Sequence, residues 1–206
     1  MDSIGRPQSH LARPAETAVV LIDVQPRFLE AMHGDTGPVL ARIEQLLIIC
    51  EWFELPVLAT FEEPVSEKGE LPDRLESQWP AGGIRFHKQS YGLTGEPEIV
   101  SALDHIGRPR LAVAGAETDV CVLQSVLGLI ELGYEVHLLE DCLFSSDPHT
   151  DPAVTRMRSA GAIPCTYKTL FYELLQTDDP LAWQDKQARA TQHGLVDPES
   201  LPPLTL

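Results

Sequence analysis

The sequence predicts an α/β fold, a doubly wound parallel sheet with helices on both faces in a three-layer α/β/α arrangement. Two observations carry this. Short apolar runs such as residues 17–23 (TAVVLID) and 56–61 (PVLATF) are nearly continuous, as in strands buried on both faces. Between them lie segments whose apolar residues recur with helical spacing. Right-handed crossovers then wind those helices onto both faces of one sheet.

The elements follow in order. Residues 1–15 hold two prolines and mixed polar residues and read as a flexible N-terminal arm. The first strand is 17–23. Thr36-Gly37-Pro38 starts a helix on which Val39, Leu40, Ile43, Leu46, Leu47, Cys50 and Phe53 share a face, up to about Leu55. The second strand is 56–61. Residues 62–83 are polar, rich in proline and glycine, and read as the longest irregular stretch. A short third strand falls at 84–87 and a helix at 96–106, with Pro97 near its start. Strand 110–114, helix 119–132, strand 135–139, helix 151–160, strand 163–166 and a short helix 169–175 complete one domain over 16–180. From Asp178 onward the chain turns to prolines and polar residues, and 181–206 reads as a C-terminal tail lying over the surface or a partner subunit.

Composition bounds the function. The chain has 206 residues, 43% hydrophobic and 22% charged, which suits one globular domain. No apolar run approaches the ~20 residues of a membrane span. The first residues lack the apolar core of a signal peptide, so a cytoplasmic protein with no membrane partner is expected. Fifteen basic against 31 acidic side chains give a net charge of −16, which argues against nucleic acid as a partner. The four cysteines, Cys50, Cys121, Cys142 and Cys165, match neither a zinc nor a CxxC pattern. Disulfides are not expected, and Cys50 and Cys165 read as buried packing residues.

The chemistry centres on LAVAGAETDVCV, residues 111–122. A buried strand meets a tight turn, and Cys121 follows in the first turn of a helix. A helix N-terminus favours negative charge, so the thiol is expected to have a lowered pKa, and the free N–H groups can hold an oxyanion. Parallel sheets bind ligands beyond the carboxyl ends of their strands. Asp23, Lys88 and Cys121 all stand at such ends. Asp23 reads either as an acidic turn residue or as a general base for the thiol. Lys88 reads either as a surface lysine or as a cation favouring both anions. His87, adjacent to Lys88 on an extended segment, points to the opposite face.

Asp23 within LIDVQPRF, Lys88 within HKQSYG and Cys121 within GAETDVCV resemble the three catalytic positions of the isochorismatase-like cysteine hydrolase superfamily, which includes nicotinamidases and N-carbamoylsarcosine amidase. The resemblance runs from about residue 17 to about 175. It implies a six-stranded parallel sheet in the order 3-2-1-4-5-6. It implies that Cys121 attacks a carbonyl carbon, Asp23 takes its proton and Lys88 holds both anions. It also implies a cis peptide between Ala116 and Glu117, with the N–H groups of Glu117 and Cys121 as the oxyanion hole. A homo-oligomer, dimer or tetramer, is implied as well.

The chain departs from its relatives in one loop. Nicotinamidases carry an Asp-x-His-x-x-His metal site after the second strand, whereas residues 60–66 here read TFEEPVS, without histidine. No metal and no cofactor are therefore expected. Isochorismatases proper cleave a vinyl ether without a cysteine at this position, so Cys121 favours an amide or ureide C–N bond of a small molecule. Phe28, Phe61, Glu62, Trp79 and Tyr91 are the candidate substrate contacts, with core packing or surface exposure as the alternative for each. Two other readings stay open. A nucleotide-binding fold needs a glycine-rich turn after the first strand, and Asp23-Val24-Gln25-Pro26 has none. A non-catalytic interaction protein could keep the same fold.

Overall fold

A computed structural model describes residues 10–176. Six parallel strands, β1 (Thr17–Ile22), β2 (Val57–Glu62), β3 (Ile84–Lys88), β4 (Arg110–Gly115), β5 (Glu135–Leu143) and β6 (Ile163–Cys165), form one sheet in the order β3-β2-β1-β4-β5-β6. The expected doubly wound sheet and its strand order are both present. β1 is central, with Val19 opposite Val57 on one side and Ala112 on the other. All six of its residues are buried, which explains its unbroken apolar sequence.

Alternation along the strands sorts the core into two halves. Val19, Leu21, Ala59, Phe61, Ala112 and Ala114 face one layer, built from α2 (Thr36–Trp52) and α8 (Tyr167–Leu175). Val20, Ile22, Leu58 and Val113 face the other, built from α5 (Pro97–Ile106), α6 (Leu123–Glu131) and α7 (Asp151–Ala160). The caps agree with the sequence. Asp35 accepts a hydrogen bond from Gly37 N at the start of α2, and Gly107 takes a left-handed conformation after α5.

The differences from the sequence reading cluster near the site. Residues 62–83 are not wholly irregular: they hold two single-turn helices, α3 (Val65–Lys68) and α4 (Asp73–Glu76). A six-residue helix, α1 (Pro26–Ala31), follows β1 with Pro26 in its first turn. The helix expected over 119–132 begins as a π-helical turn, Thr118–Val122, before α6. β5 continues to Leu143 through a register shift against β4, because Gly115 pairs there with Leu143. Part of the N-terminal arm lies against the body. Ala12 is fully buried and its N–H donates to Glu173. The tail over 181–206 lies outside the described residues.

Candidate active site

Three strand ends converge. Asp23 directly follows β1, with φ 49°, and its backbone N–H donates to Thr60 O on β2 at 3.0 Å. Its carboxylate takes the Thr60 hydroxyl on Oδ1 at 2.8 Å and Lys88 Nζ on Oδ2 at 2.6 Å. Lys88 is the last residue of β3, and both side chains of the pair are closed to solvent. Lys88 Nζ also donates to Ser90 O at 3.1 Å, so the ammonium is anchored from two sides. His87 points outward, between Glu63 and Glu70 at 3.3 Å each, as strand alternation requires.

Cys121 arrives from the β4 side. Gly115 lies so close to β1 that a Cβ there would sit 2.0 Å from Ile22 O. The Ala116–Glu117 peptide is cis. The turn is pinned from β1 and β5: Ala116 N–H donates to Ile22 O, while Thr118 donates through both its N–H and its hydroxyl to Phe144 O. Ser145 Oγ holds Asp119 at 2.6 Å, and Ser146 N–H holds Glu117 at 3.1 Å. These bonds fix the π-turn, and with it the cysteine.

The site holds a second carboxylate, only weakly legible in the sequence. Glu62, the last residue of β2, accepts the Cys121 thiol on Oε2 at 3.1 Å, while its Oε1 takes Lys68 Nζ at 2.5 Å. Lys68 also donates to Glu63 O and lies 5.8 Å from the centre of the Phe28 ring. Buried Gln25 clamps this corner. Its amide oxygen accepts Glu62 N–H at 2.7 Å, and its amide nitrogen donates to Glu62 O and Gly69 O. One ligand atom each from Asp23, Glu62 and Cys121 lies within 4.8 Å of the others.

The electrostatics correct one expectation. Burial pushes the Cys121 thiol up, and the charge of Asp23 adds to this; Lys88 opposes, and Glu62 raises it further. The resting sulfur is therefore a thiol, not the thiolate expected from a helix N-terminus. Two carboxylates, Asp23 and Glu62, stand within 4.8 Å of that sulfur. Burial also raises Asp23, against Lys88, Thr60 and the thiol. For Glu62 burial works against the charge, but the hydrogen bonds from Lys68 and Cys121 and both lysine charges outweigh it and hold the carboxyl low. The proton thus rests on sulfur, beside a carboxylate whose affinity for it is elevated. Of the two carboxyls, the raised one, Asp23, is the better placed to receive that proton.

The other candidate contacts divide. Glu62 touches the sulfur, and Phe28 flanks Lys68. Tyr91 is exposed on the turn that follows Lys88. Phe61 alternates away from Thr60 and Glu62 into the core beneath the sheet, edge-on to His87. Trp79 is misplaced for a substrate contact. It packs beside Gly83 and Arg85, at the start of β3, the strand whose far end carries Lys88. Cys50, Cys142 and Cys165 are buried. No helix among the described residues is long and apolar enough to cross a membrane.

Fold and site together define the class, an isochorismatase-like hydrolase. The isochorismatase domain model matches residues 17–169, and the chain belongs to the isochorismatase family. Isochorismatase family protein 1B of Dictyostelium discoideum is 28% identical over 166 residues, covering 78% of this chain and 79% of that protein. The YcaC gene product of Escherichia coli, described as an octameric hydrolase of unknown specificity, matches in structure with a TM-score of 0.79 at 22% identity, over 91% of this chain and 94% of that one. YcaC from Pseudomonas aeruginosa, solved with hexane-2,5-diol and covalent acrylamide, gives 0.78 at 22% identity, over 92% and 98%.

Proposed function

We propose that this chain is a cysteine hydrolase that opens a C–N bond, amide or ureide, of a small molecule through an acyl-enzyme on Cys121. The observation that carries this is the approach of the Cys121 sulfur to the Asp23 carboxylate, within 4.8 Å, with Lys88 Nζ 2.6 Å from Asp23. As sulfur attacks the carbonyl carbon, its proton passes to Asp23. With Asp23 neutralised by that proton, the Lys88 ammonium offsets the negative charge left on the sulfur and the oxyanion. The N–H groups of Glu117 and Cys121 take the oxyanion. Collapse breaks the C–N bond, and Asp23 returns the proton to the leaving nitrogen. Water then attacks the thioester, giving a proton to Asp23, and the departing sulfur recovers it.

Donor chemistry disfavours a transition metal here. Asp23, Glu62 and Cys121 form a compact set, but Lys88 and Lys68 already place ammonium groups on both carboxylates. A divalent ion would have to displace them, and the set contains no histidine. We also infer a homo-oligomer with a small-molecule substrate; the octameric E. coli relative supports assembly in general.

The experiment is intact mass of the protein mixed with a panel of small amides and ureides. The expected result is a substrate-sized acyl adduct that maps to Cys121 and is absent in Cys121→Ala. Hydrolysis that persists in Cys121→Ala would overturn the reading.

A further inference from the structure

Glu62 has no part in the proton path just described, yet its Oε2 accepts from the thiol of the nucleophile. Its two oxygens are used differently. Oε1 is saturated by Lys68, which balances the charge of the carboxylate. Oε2 faces the sulfur at 3.1 Å, with Lys88 Nζ at 3.9 Å. The backbone N–H of Glu62 is held by Gln25, so the strand end cannot drift. The result is an acceptor atom, fixed on both sides, aimed at the atom that must leave it before attack.

We infer that Glu62 Oε2 is the substrate-anchoring acceptor of this site, exchanging the Cys121 thiol for an N–H of the substrate. The inference rests on Cys121 being the nucleophile. In the resting enzyme the thiol fills the acceptor. An incoming carbonyl compound that carries an N–H next to the scissile carbon takes Oε2, and the thiol turns to Asp23, which lies within 4.8 Å. One exchange therefore binds the substrate and delivers the thiol to its base.

The charge balance names the substrate class. A bare carboxylate would select cations such as amidines. Paired with Lys68, Glu62 offers an acceptor with little net charge, which suits neutral donors: primary amides and ureido groups. Esters and thioesters, lacking that N–H, leave the acceptor unfilled. This deepens the amide or ureide reading by assigning the discrimination to one atom.

The test uses two small electrophiles that share one acryloyl group, on the full chain. Acrylamide carries the N–H; methyl acrylate does not. In both, the sulfur adds to the terminal carbon of the double bond and the thiol proton ends on the carbon beside the carbonyl, so no other reactant is needed. The rate ratio of acrylamide to methyl acrylate at Cys121, followed by peptide mass, is normalised to the same ratio on glutathione. The expected normalised ratio is about tenfold in favour of acrylamide, the size of an ordinary net hydrogen bond. In Glu62→Gln it is expected to fall to unity. Lys68 will hold the new amide by its oxygen and so turn its NH2 toward the site, placing a donor where an acceptor stood.

A ratio near unity in the unaltered protein overturns the inference, and this needs no variant to fold. A preference that survives Glu62→Gln in a folded protein overturns it too. Neither result bears on whether Cys121→Ala abolishes hydrolysis, so failure of the anchor and failure of the cysteine mechanism are read separately.

Discussion

Lys88 Nζ meets Asp23 Oδ2 at 2.6 Å with both side chains closed to solvent. Removing one partner of such a pair leaves the other charge buried and uncompensated. Lys88→Met should therefore destabilise the fold by about 3 kcal/mol near neutral pH. The sign with pH follows from Asp23. Its folded pKa is raised already, and losing Lys88 raises it further. A group raised on folding contributes stability that is complete below its unfolded pKa and is lost as pH rises through the folded value. The deficit of Lys88→Met should shrink as pH falls and Asp23 takes up a proton. Urea melts of both proteins at mildly acidic and neutral pH check this; an equal deficit at both would contradict it.

Asp23, Lys88 and Cys121 should behave as one unit. Asp23→Asn is expected to lower turnover about a hundredfold or more. Adding Lys88→Met or Cys121→Ala to it should cost little further, because the remaining groups have nothing left to serve. Turnover of single and double variants, with folding checked by thermal melts, is the measurement. Independent, multiplying losses would sink the triad.

Among the cysteines, iodoacetamide should label Cys121 first. All four are buried, but only Cys121 has Asp23 beside it to receive its proton and Lys88 to offset the charge. Labelling should still be slow at neutral pH, since the thiol is held protonated. Peptide mapping after limited reaction decides it, and preferential labelling of Cys50, Cys142 or Cys165 would refute it.

Gly115→Ala should be disruptive. The residue has φ 124°, and a Cβ would meet the carbonyl of Ile22 at 2.0 Å, backbone against backbone. A loss of more than about 2 kcal/mol is expected, since neither strand can yield cheaply. A near-normal melting temperature would show that β1 and β4 can part at this point.

The places of the proposed trio, Asp23, Lys88 and Cys121, were legible because each member ends an apolar run or follows one closely, and strand ends are where such sheets build sites. Their proposed roles came from the resemblance carried by the short motifs around them. Glu62 was legible as a candidate contact opening the long polar stretch, but its contact with sulfur was not. Its other oxygen is held by Lys68, six residues on, which reaches back from the end of the short helix α3. Trp79 misled because membership of a long segment does not say which end of the sheet it visits. The thiol's protonation misled for a related reason. The pattern around Cys121 announced a helix start, whereas burial and then the charge of Asp23, distant in sequence, raise the thiol most.

Asp23 holds its place with φ at 49°, a conformation in which a Cβ crowds the following carbonyl. Most side chains lose about 1 kcal/mol or more there, while glycine escapes and asparagine and aspartate are the best tolerated of the rest. The backbone thus favours glycine, asparagine and aspartate at position 23 before chemistry is consulted. On the proposed mechanism asparagine cannot accept the proton, so the change expected to silence the site is also one the chain accepts readily.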